Sequence, residues 1–360
     1  MLSCKKNEKE DSTLVLGDKI TVDFGDTPLL QENSSWGFNK SSFYYTIDHN
    51  DSLGLYIYNM IDEFWISKFF PYEGPNGLRK FDDFVLINDT LAFHSLSGFF
   101  GFQLVHLQSK EIQEFTFREI MINPGKVNFK SIYFDSEIIG FPIVEYKRTD
   151  DPDYTKESNI YGFFSLSEKQ FQDFISFPEE FHNKTYSSNF LKNDFVVRGD
   201  SILVNFQKSH YLYGYGLKGD KIFQIPVIVK NVNNTNPGRK SDQMDNMILA
   251  EFTGKYSSLI SVGNYFYRIA TTYPKTSIPS SSDFRTIVEA VKYCEMCVLK
   301  LDNNFNVLSQ GIFPCAPGES GVGDGKYLVK NDRLYLWYLN KGPEESLEYF
   351  QEVILLENSH

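Results

Sequence analysis

Asp83-Phe-Val-Leu-Ile-Asn88, Thr90-Leu-Ala-Phe-His94, Gly101-Phe-Gln-Leu-Val-His-Leu107 and Glu111-Ile-Gln-Glu-Phe-Thr-Phe117 follow one another with short turns between them. The runs favour β-branched and aromatic residues. Apolar and polar positions alternate through much of them, and Asn, Asp, Ser or Gly stands at most turns. Four such runs in succession predict a four-stranded antiparallel meander, the unit of a propeller blade.

The pattern recurs. Phe195-Val-Val-Arg198, Ser201-Ile-Leu-Val-Asn205, Tyr211-Leu-Tyr-Gly-Tyr215 and Ile222-Phe-Gln-Ile225 make another full set, with Gly199-Asp200 and Lys218-Gly219-Asp220 as tight turns. Residues 43–70, 131–177, 258–313 and 327–356 supply four more blocks. In the block at 131–177, residues 168–177 read as a strand although Ser167 and Gln170 have helix capping-box spacing, because the block otherwise lacks its fourth strand. The block at 258–313 carries an insert, residues 273–293, whose Pro- and Ser-rich part is a loop. The last block offers three strands only, and its fourth is expected from residues 13–24 at the other end of the chain. Pairing the two termini in one sheet leaves no long free edge. A repeat of about 40 to 70 residues in an all-β chain thus predicts a six-bladed β-propeller closed by its N-terminal strand, or seven blades if residues 231–253 hold strands. Residues 1–12 read as a tether and 13–357 as a single domain.

Composition narrows the function. The chain has 33 Phe and 22 Tyr, suited to pleated, half-buried surfaces. Its net charge of -12 repels a phosphate backbone, which argues against nucleic acid as a partner. No apolar run is long enough for a transmembrane helix. The opening Met1-Leu2-Ser3-Cys4-Lys5-Lys6 lacks a hydrophobic region before Cys4, yet it has the look of the end of a bacterial lipoprotein signal, in which the cysteine is acylated. Residues 5–12 are polar and charged, as a flexible tether requires. The expectation is a lipid anchor at Cys4 and a place in the periplasm or at the outer membrane, with the acidic residues Glu8, Glu10 and Asp11 favouring the outer face.

This start, together with Tyr72-Glu-Gly-Pro-Asn-Gly77, Tyr265-Phe-Tyr-Arg268 and Leu301-Asp-Asn-Asn-Phe-Asn306, resembles a family of uncharacterised Gram-negative lipoproteins classed as a domain of unknown function. The resemblance covers residues 14–356. It implies a six-bladed propeller and carries no catalytic residues to transfer.

Candidate site residues come from two places. Glu73-Gly-Pro-Asn-Gly77 reads first as a tight turn between blades. If such loops gather at one mouth of the ring, Glu73, Asn76 and Arg79 present polar groups to a ligand. Arg268 lies in an apolar strand beside Tyr265, and a buried guanidinium needs a partner: a salt bridge between blades, or a ligand. Other motifs are weaker. The run Gly318-Glu-Ser-Gly-Val-Gly-Asp-Gly-Lys326 fails both phosphate-loop and nucleophile-elbow spacing and reads as a flexible connection. Cys294, Cys297 and Cys315 are odd in number, so no complete disulfide set follows, and they read as buried thiols. His94 and His106 lie on adjacent strands and read as ordinary strand residues. Asp150, Asp151 and Asp153 read as a solvated hairpin without a calcium-loop pattern. The sequence calls for no cofactor and no metal.

Two functions fit. One is a membrane-anchored binding module for a glycan, peptide or partner protein, held in the mouth of the propeller. The other is a hydrolase or lyase acting on a carbohydrate or lactone in the central funnel, which requires several convergent ionisable groups there.

Overall fold

The computed structural model describes residues 12–23, 36–39, 42–74, 77–79, 81–96, 100–123, 128–145, 147, 151, 153–184, 186, 190–229, 232, 252–274, 293–315, 320–340 and 347–356. After β1 (Ser12–Asp23), six meanders follow in chain order. The first is β2 (Trp36–Asn39), β3 (Ser42–His49), β4 (Ser52–Asn59) and β5 (Phe64–Pro71). The second is β6 (Phe81–Leu86), β7 (Leu91–Leu96), β8 (Gly101–His106) and β9 (Ile112–Thr116). The third holds β10 (Ile120–Ile122), a 3-10 turn (Phe129–Ser131), β11 (Tyr133–Phe134), β12 (Ile138–Glu145), a single helical turn α1 (Tyr154–Glu157), β13 (Asn159–Ser165) and β14 (Gln170–Ser176). The fourth is β15 (Asn193–Arg198), β16 (Ser201–Phe206), β17 (Tyr211–Gly216) and β18 (Lys221–Pro226). The fifth is β19 (Lys255–Val262), β20 (Tyr265–Thr272), β21 (Glu295–Leu301) and β22 (Val307–Pro314). The sixth is β23 (Ser320–Lys330), β24 (Arg333–Asn340) and β25 (Leu347–Leu355), completed by β1.

The expected pairing of the termini is present. β1 runs antiparallel to β25, with Leu14 opposite Leu355 and Val22 opposite Glu348. Its first residues also pair in parallel with β22, Ser12 opposite Ser309, so meanders five and six join into one eight-stranded sheet.

Burial explains why clean alternation fails inside the blocks. In β3, β4 and β7 consecutive residues are buried, whereas β5, β14, β18 and β22, the last strands of their meanders, are exposed or half-buried at most positions. A strand buried on both faces is sandwiched between two other sheets, so it needs apolar residues in unbroken runs. The apolar clusters follow that logic. Phe93, Phe102, Phe141 and Phe164 pack meander two on three, with the Phe102 ring 5.4 Å from both Phe141 and Phe164. Tyr161 and Phe195 join three to four, Leu203 and Leu299 four to five, and Ile269 and Leu336 five to six. Tyr44, Leu55 and Phe84 join one to two. Tyr45, Leu328 and Phe350 join six back to one. Each meander therefore packs against its two neighbours in sequence, the last against the first, in a propeller-like arrangement. The first elements also meet on the inner side: β15 touches the 3-10 turn and β19, and β19 touches β23.

Several expectations need correction. Cys294 and Cys315 form a disulfide across the open end of the β21–β22 hairpin, leaving Cys297 as the buried thiol. An odd count permits a bridge plus one spare cysteine, and only register put residues 294 and 315 opposite each other. The Gly-rich connection before the last blade is in part a strand, because β23 starts at Ser320 and pairs with β24 through a shift of register between Val322 and Tyr327. Backbone bonding asks nothing of the side chains there, and the glycines accommodate the irregularity. Residues 170–176 are a strand as expected, despite the capping-box spacing. Asp153 leads into α1 rather than a plain hairpin. Asp150 and most of residues 231–253 lie outside the described residues.

Candidate functional site

A pocket of about 570 Å³ lies where the inner elements of the meanders converge. Its aliphatic part is Ile132 after the 3-10 turn, Val196 and Val197 of β15, Ile260 of β19 and Val329 of β23. Met60 and Ile61, in the β4–β5 turn, bring meander one to the same rim. Polar groups are nearly as numerous: Lys130, Tyr327, Ser261 and the Lys330-Asn331-Asp332 turn. That turn has positive φ at Asn331 (51°) and Asp332 (56°), residue types that tolerate the left-handed region.

Lys130 is the charged group furthest inside. Its Nζ donates to Asp194 Oδ2 at 2.5 Å and to the Leu259 carbonyl at 2.8 Å, and it stands 5.7 Å from the centre of the Tyr327 ring. Asp194 Oδ2 also accepts the Leu259 backbone N–H at 2.9 Å. Lys130, Asp194, Leu259 and Tyr327 come from meanders three, four, five and six, so this knot ties four meanders together at the inner side. Both ionic side chains are only about a tenth exposed, 10 % and 11 %. Burial pushes the Tyr327 phenol far up, and the Asp194 carboxylate adds to it, so Tyr327 stays a neutral hydroxyl. An ammonium has three donors, and two of Lys130's are committed to these partners.

The residues singled out in the sequence do not gather here. Glu73 is exposed, and Gly74 has φ 101°. The Gly77 N–H donates to the Gly74 carbonyl, and a Cβ on Gly77 would lie 2.7 Å from the Tyr72 carbonyl oxygen. The segment is a tight crossing from β5 to β6, and Asn76 lies outside the described residues. Arg79 is ion-paired with Glu114 at 2.9 Å. Glu114 in turn accepts from Gln103, whose Oε1 takes the Nδ1–H of buried His94 at 3.1 Å. The crossing sits beside the β3–β4 turn, since Tyr72 N–H donates to the Asp51 carbonyl. It is therefore at the opposite end of meander one from the pocket. His94 faces Gln103 while His106 faces Leu91, so the two histidines are not cross-strand partners.

Arg268 is fully buried (0 %) between meanders four and five. The salt bridge expected for it is replaced by neutral acceptors. Its guanidinium donates to Asn205 Oδ1 (2.9 Å) and to the carbonyls of Ser209 (2.7 Å), His210 (3.0 Å), Tyr211 (3.4 Å) and Val227. It also stacks 3.4 Å from the Tyr256 ring centre. Burial pulls its pKa down to about 9, still leaving it charged at neutral pH. Phe266, Tyr267 and Arg268 are all buried, as on a strand covered on both faces; Tyr265 is exposed at the turn end of β20, with Lys300 Nζ 4.0 Å from its ring centre. Sequence reading missed Lys130 and Asp194. Neither lies in a motif, and only packing brings residues 64 positions apart into contact.

Among the described residues, no group of three His, Cys, Asp or Glu side chains is placed to hold a metal, and no helix is long and apolar enough to cross a membrane. Cys4 lies outside the described residues.

The architecture is that of a propeller-like β protein. No family model matches the chain, and no curated protein matches it. Among solved structures it is similar to a member of the DUF4221 family from Bacteroides vulgatus, with a TM-score of 0.72 and 14 % identity over 96 % of this chain and 99 % of that one. It is also similar to a protein described as exported from Bacteroides fragilis, with a TM-score of 0.55 and 10 % identity over 98 % of each chain. At these identities the likeness is one of fold.

Proposed function

We propose that this protein is an extracytoplasmic binding module, built as a six-bladed propeller closed by β1 and anchored by lipid at Cys4, that holds a ligand in the pocket around Lys130. The observation that carries this reading is the pocket itself. Five meanders contribute to its wall, and it sets aliphatic side chains beside convergent polar groups, as a concave ligand site does. Of the glycan, peptide and protein ligands expected for such a module, the lining favours a peptide or protein segment that offers an apolar side chain and a hydrogen-bond acceptor. A hydrolase or lyase needs ionisable groups able to exchange protons, whereas Lys130 and Asp194 hold each other and Leu259. The Cys294–Cys315 bridge supports an oxidising compartment outside the cytoplasm. Likeness to an exported protein agrees with that placement.

The test is peptide-library selection on immobilised protein, with Ser261→Trp as the filled-pocket control. Selected peptides should bind the native protein in solution and lose binding to the variant. Failure to enrich any peptide, or equal binding to the variant, overturns the reading.

A further inference from the structure

We propose, on the reading that the pocket holds a peptide, that its partner is a basic segment in which an apolar side chain lies between Lys or Arg residues. The inference rests on where the fold puts its carboxylates. In each antiparallel meander the turn from the inner strand to the next lies at the pocket end. Gly263, Asn331 and Asp332 line the pocket themselves, and Ile132, Val196 and Val197 line it just before the turns of meanders three and four. β6 leaves the crossing at the far end and runs toward the pocket end, so the β6–β7 turn joins the set. These described turns, 87–90, 135–137, 199–200, 263–264 and 331–332, carry Asp89, Asp135, Glu137, Asp200 and Asp332 and no Lys or Arg. The β4–β5 turn adds Asp62 and Glu63 at the rim.

Cations stand at the neighbouring strand ends, and each is engaged. Lys330 lies 3.7 Å from Glu63, and Arg333 pairs with Glu352 at 3.1 Å. Arg198 stacks 4.5 Å from the Phe266 ring centre and donates to the Gly263 carbonyl at 3.4 Å. At the other end the signs are mixed. Glu73 shares its crossing with Arg79, Asp51 and Lys208 stand in the β3–β4 and β16–β17 turns, and Lys147 and Lys156 stand among the acids of the β12–β13 connection. Inside the pocket Lys130 and Asp194 cancel, and Ile132, Val196, Val197 and Ile260 line the same space, so an inserted cation would leave water without gaining a partner. The inserted side chain is therefore apolar, and the positive charge belongs on its flanks, which stay in water beside the carboxylates. Attraction between such exposed charges speeds encounter and fixes orientation, and the chain's net charge of -12 extends its reach.

The probes are three synthetic peptides around one leucine, flanked by lysines, serines or glutamates, and a fourth with lysine flanks and a central serine. Fluorescence anisotropy with the full chain gives their dissociation constants at low salt and at about 1 M salt, where screening confines charge effects to about 3 Å. At low salt, lysine flanks around leucine should bind about tenfold tighter than serine flanks, glutamate flanks should bind weakest, and the lead should vanish at high salt. Glu137→Gln with Asp200→Asn, both exposed, should cost the lysine-flanked peptide about threefold to tenfold in affinity. If lysine flanks bind as well around serine, or as well to Ser261→Trp, surface charge acts without the pocket and the inference is overturned. Equal affinity of lysine- and serine-flanked peptides, or an equal loss of both in the double variant, overturns the charge selection and leaves the pocket reading standing. Binding of none of the four overturns the inference, and library selection then decides the pocket reading by itself.

Discussion

Arg268 shows how much one side chain can organise. Five acceptors, four of them backbone carbonyls from the segment after β16 and from Val227, converge on one guanidinium and fasten meander four to meander five. The His210 carbonyl also accepts the Val227 N–H and the Val227 carbonyl the Tyr256 hydroxyl, but removing the guanidinium still takes the donor from the other acceptors of this buried cage. Arg268→Met should therefore cost about 3–5 kcal/mol of unfolding free energy, measured by urea denaturation. Arg268→Lys should recover part of it, because three ammonium donors cannot reproduce a planar fork. His94 makes a different prediction. Burial holds its pKa down to about 4, against 6.5 when unfolded, so the folded state carries the neutral ring. Between those values the unfolded chain binds the extra proton, and stability falls as pH falls from about 6.5 to about 4. The loss due to this one group is about 3 kcal/mol. In His94→Gln the slope of unfolding free energy against pH over that window should be shallower. An unchanged slope would assign the acid sensitivity elsewhere.

At the scale of elements, the hairpin turns do two jobs. Lys218-Gly219-Asp220 reads in the sequence as a local reversal, and it is one, with Gly219 at φ 74°. It also packs against the neighbouring sheet so closely that a Cβ on Gly219 would sit 1.9 Å from the Phe174 carbonyl oxygen of β14. Gly219→Ala thus meets both backbone strain and a clash with main chain that cannot rotate away. A loss of at least about 2 kcal/mol in unfolding free energy is expected, well beyond the ordinary cost of replacing a turn glycine. The left-handed turn was legible from residue types, but the contact across sheets was not. The same division holds for Glu73-Gly-Pro-Asn-Gly77. Its Gly and Pro announce a tight crossing, yet nothing local says that the crossing lies at the end of the sheet away from the pocket.

The molecule as a whole depends on its first strand. β1 is the outer strand of meander six, it bridges to β22, and Leu14 and Val22 enter the clusters that join meander six to five and to one. Deleting residues 1–23 removes those contacts and bares the edge of β25. The truncated chain should lose its cooperative thermal transition and aggregate, as seen by circular dichroism and light scattering. A sharp transition at an unchanged temperature would show that the fold stands without β1.

Local pattern was enough to identify most strands, most of their turns and the use of the chain's two ends in one sheet, because period-two alternation and turn chemistry act over a few residues; the short β2 and β10 and the glycine-rich start of β23 gave no such pattern. The pocket was decided by tertiary structure. Lys130, Asp194, Leu259 and Tyr327 carry no common motif; they meet because four meanders place their inner elements side by side, and the low-dielectric interior then makes a lysine and an aspartate hold each other. The Cys294–Cys315 bridge and the carbonyl cage of Arg268 have the same origin, since each needs a distance between residues that no spacing along the chain encodes.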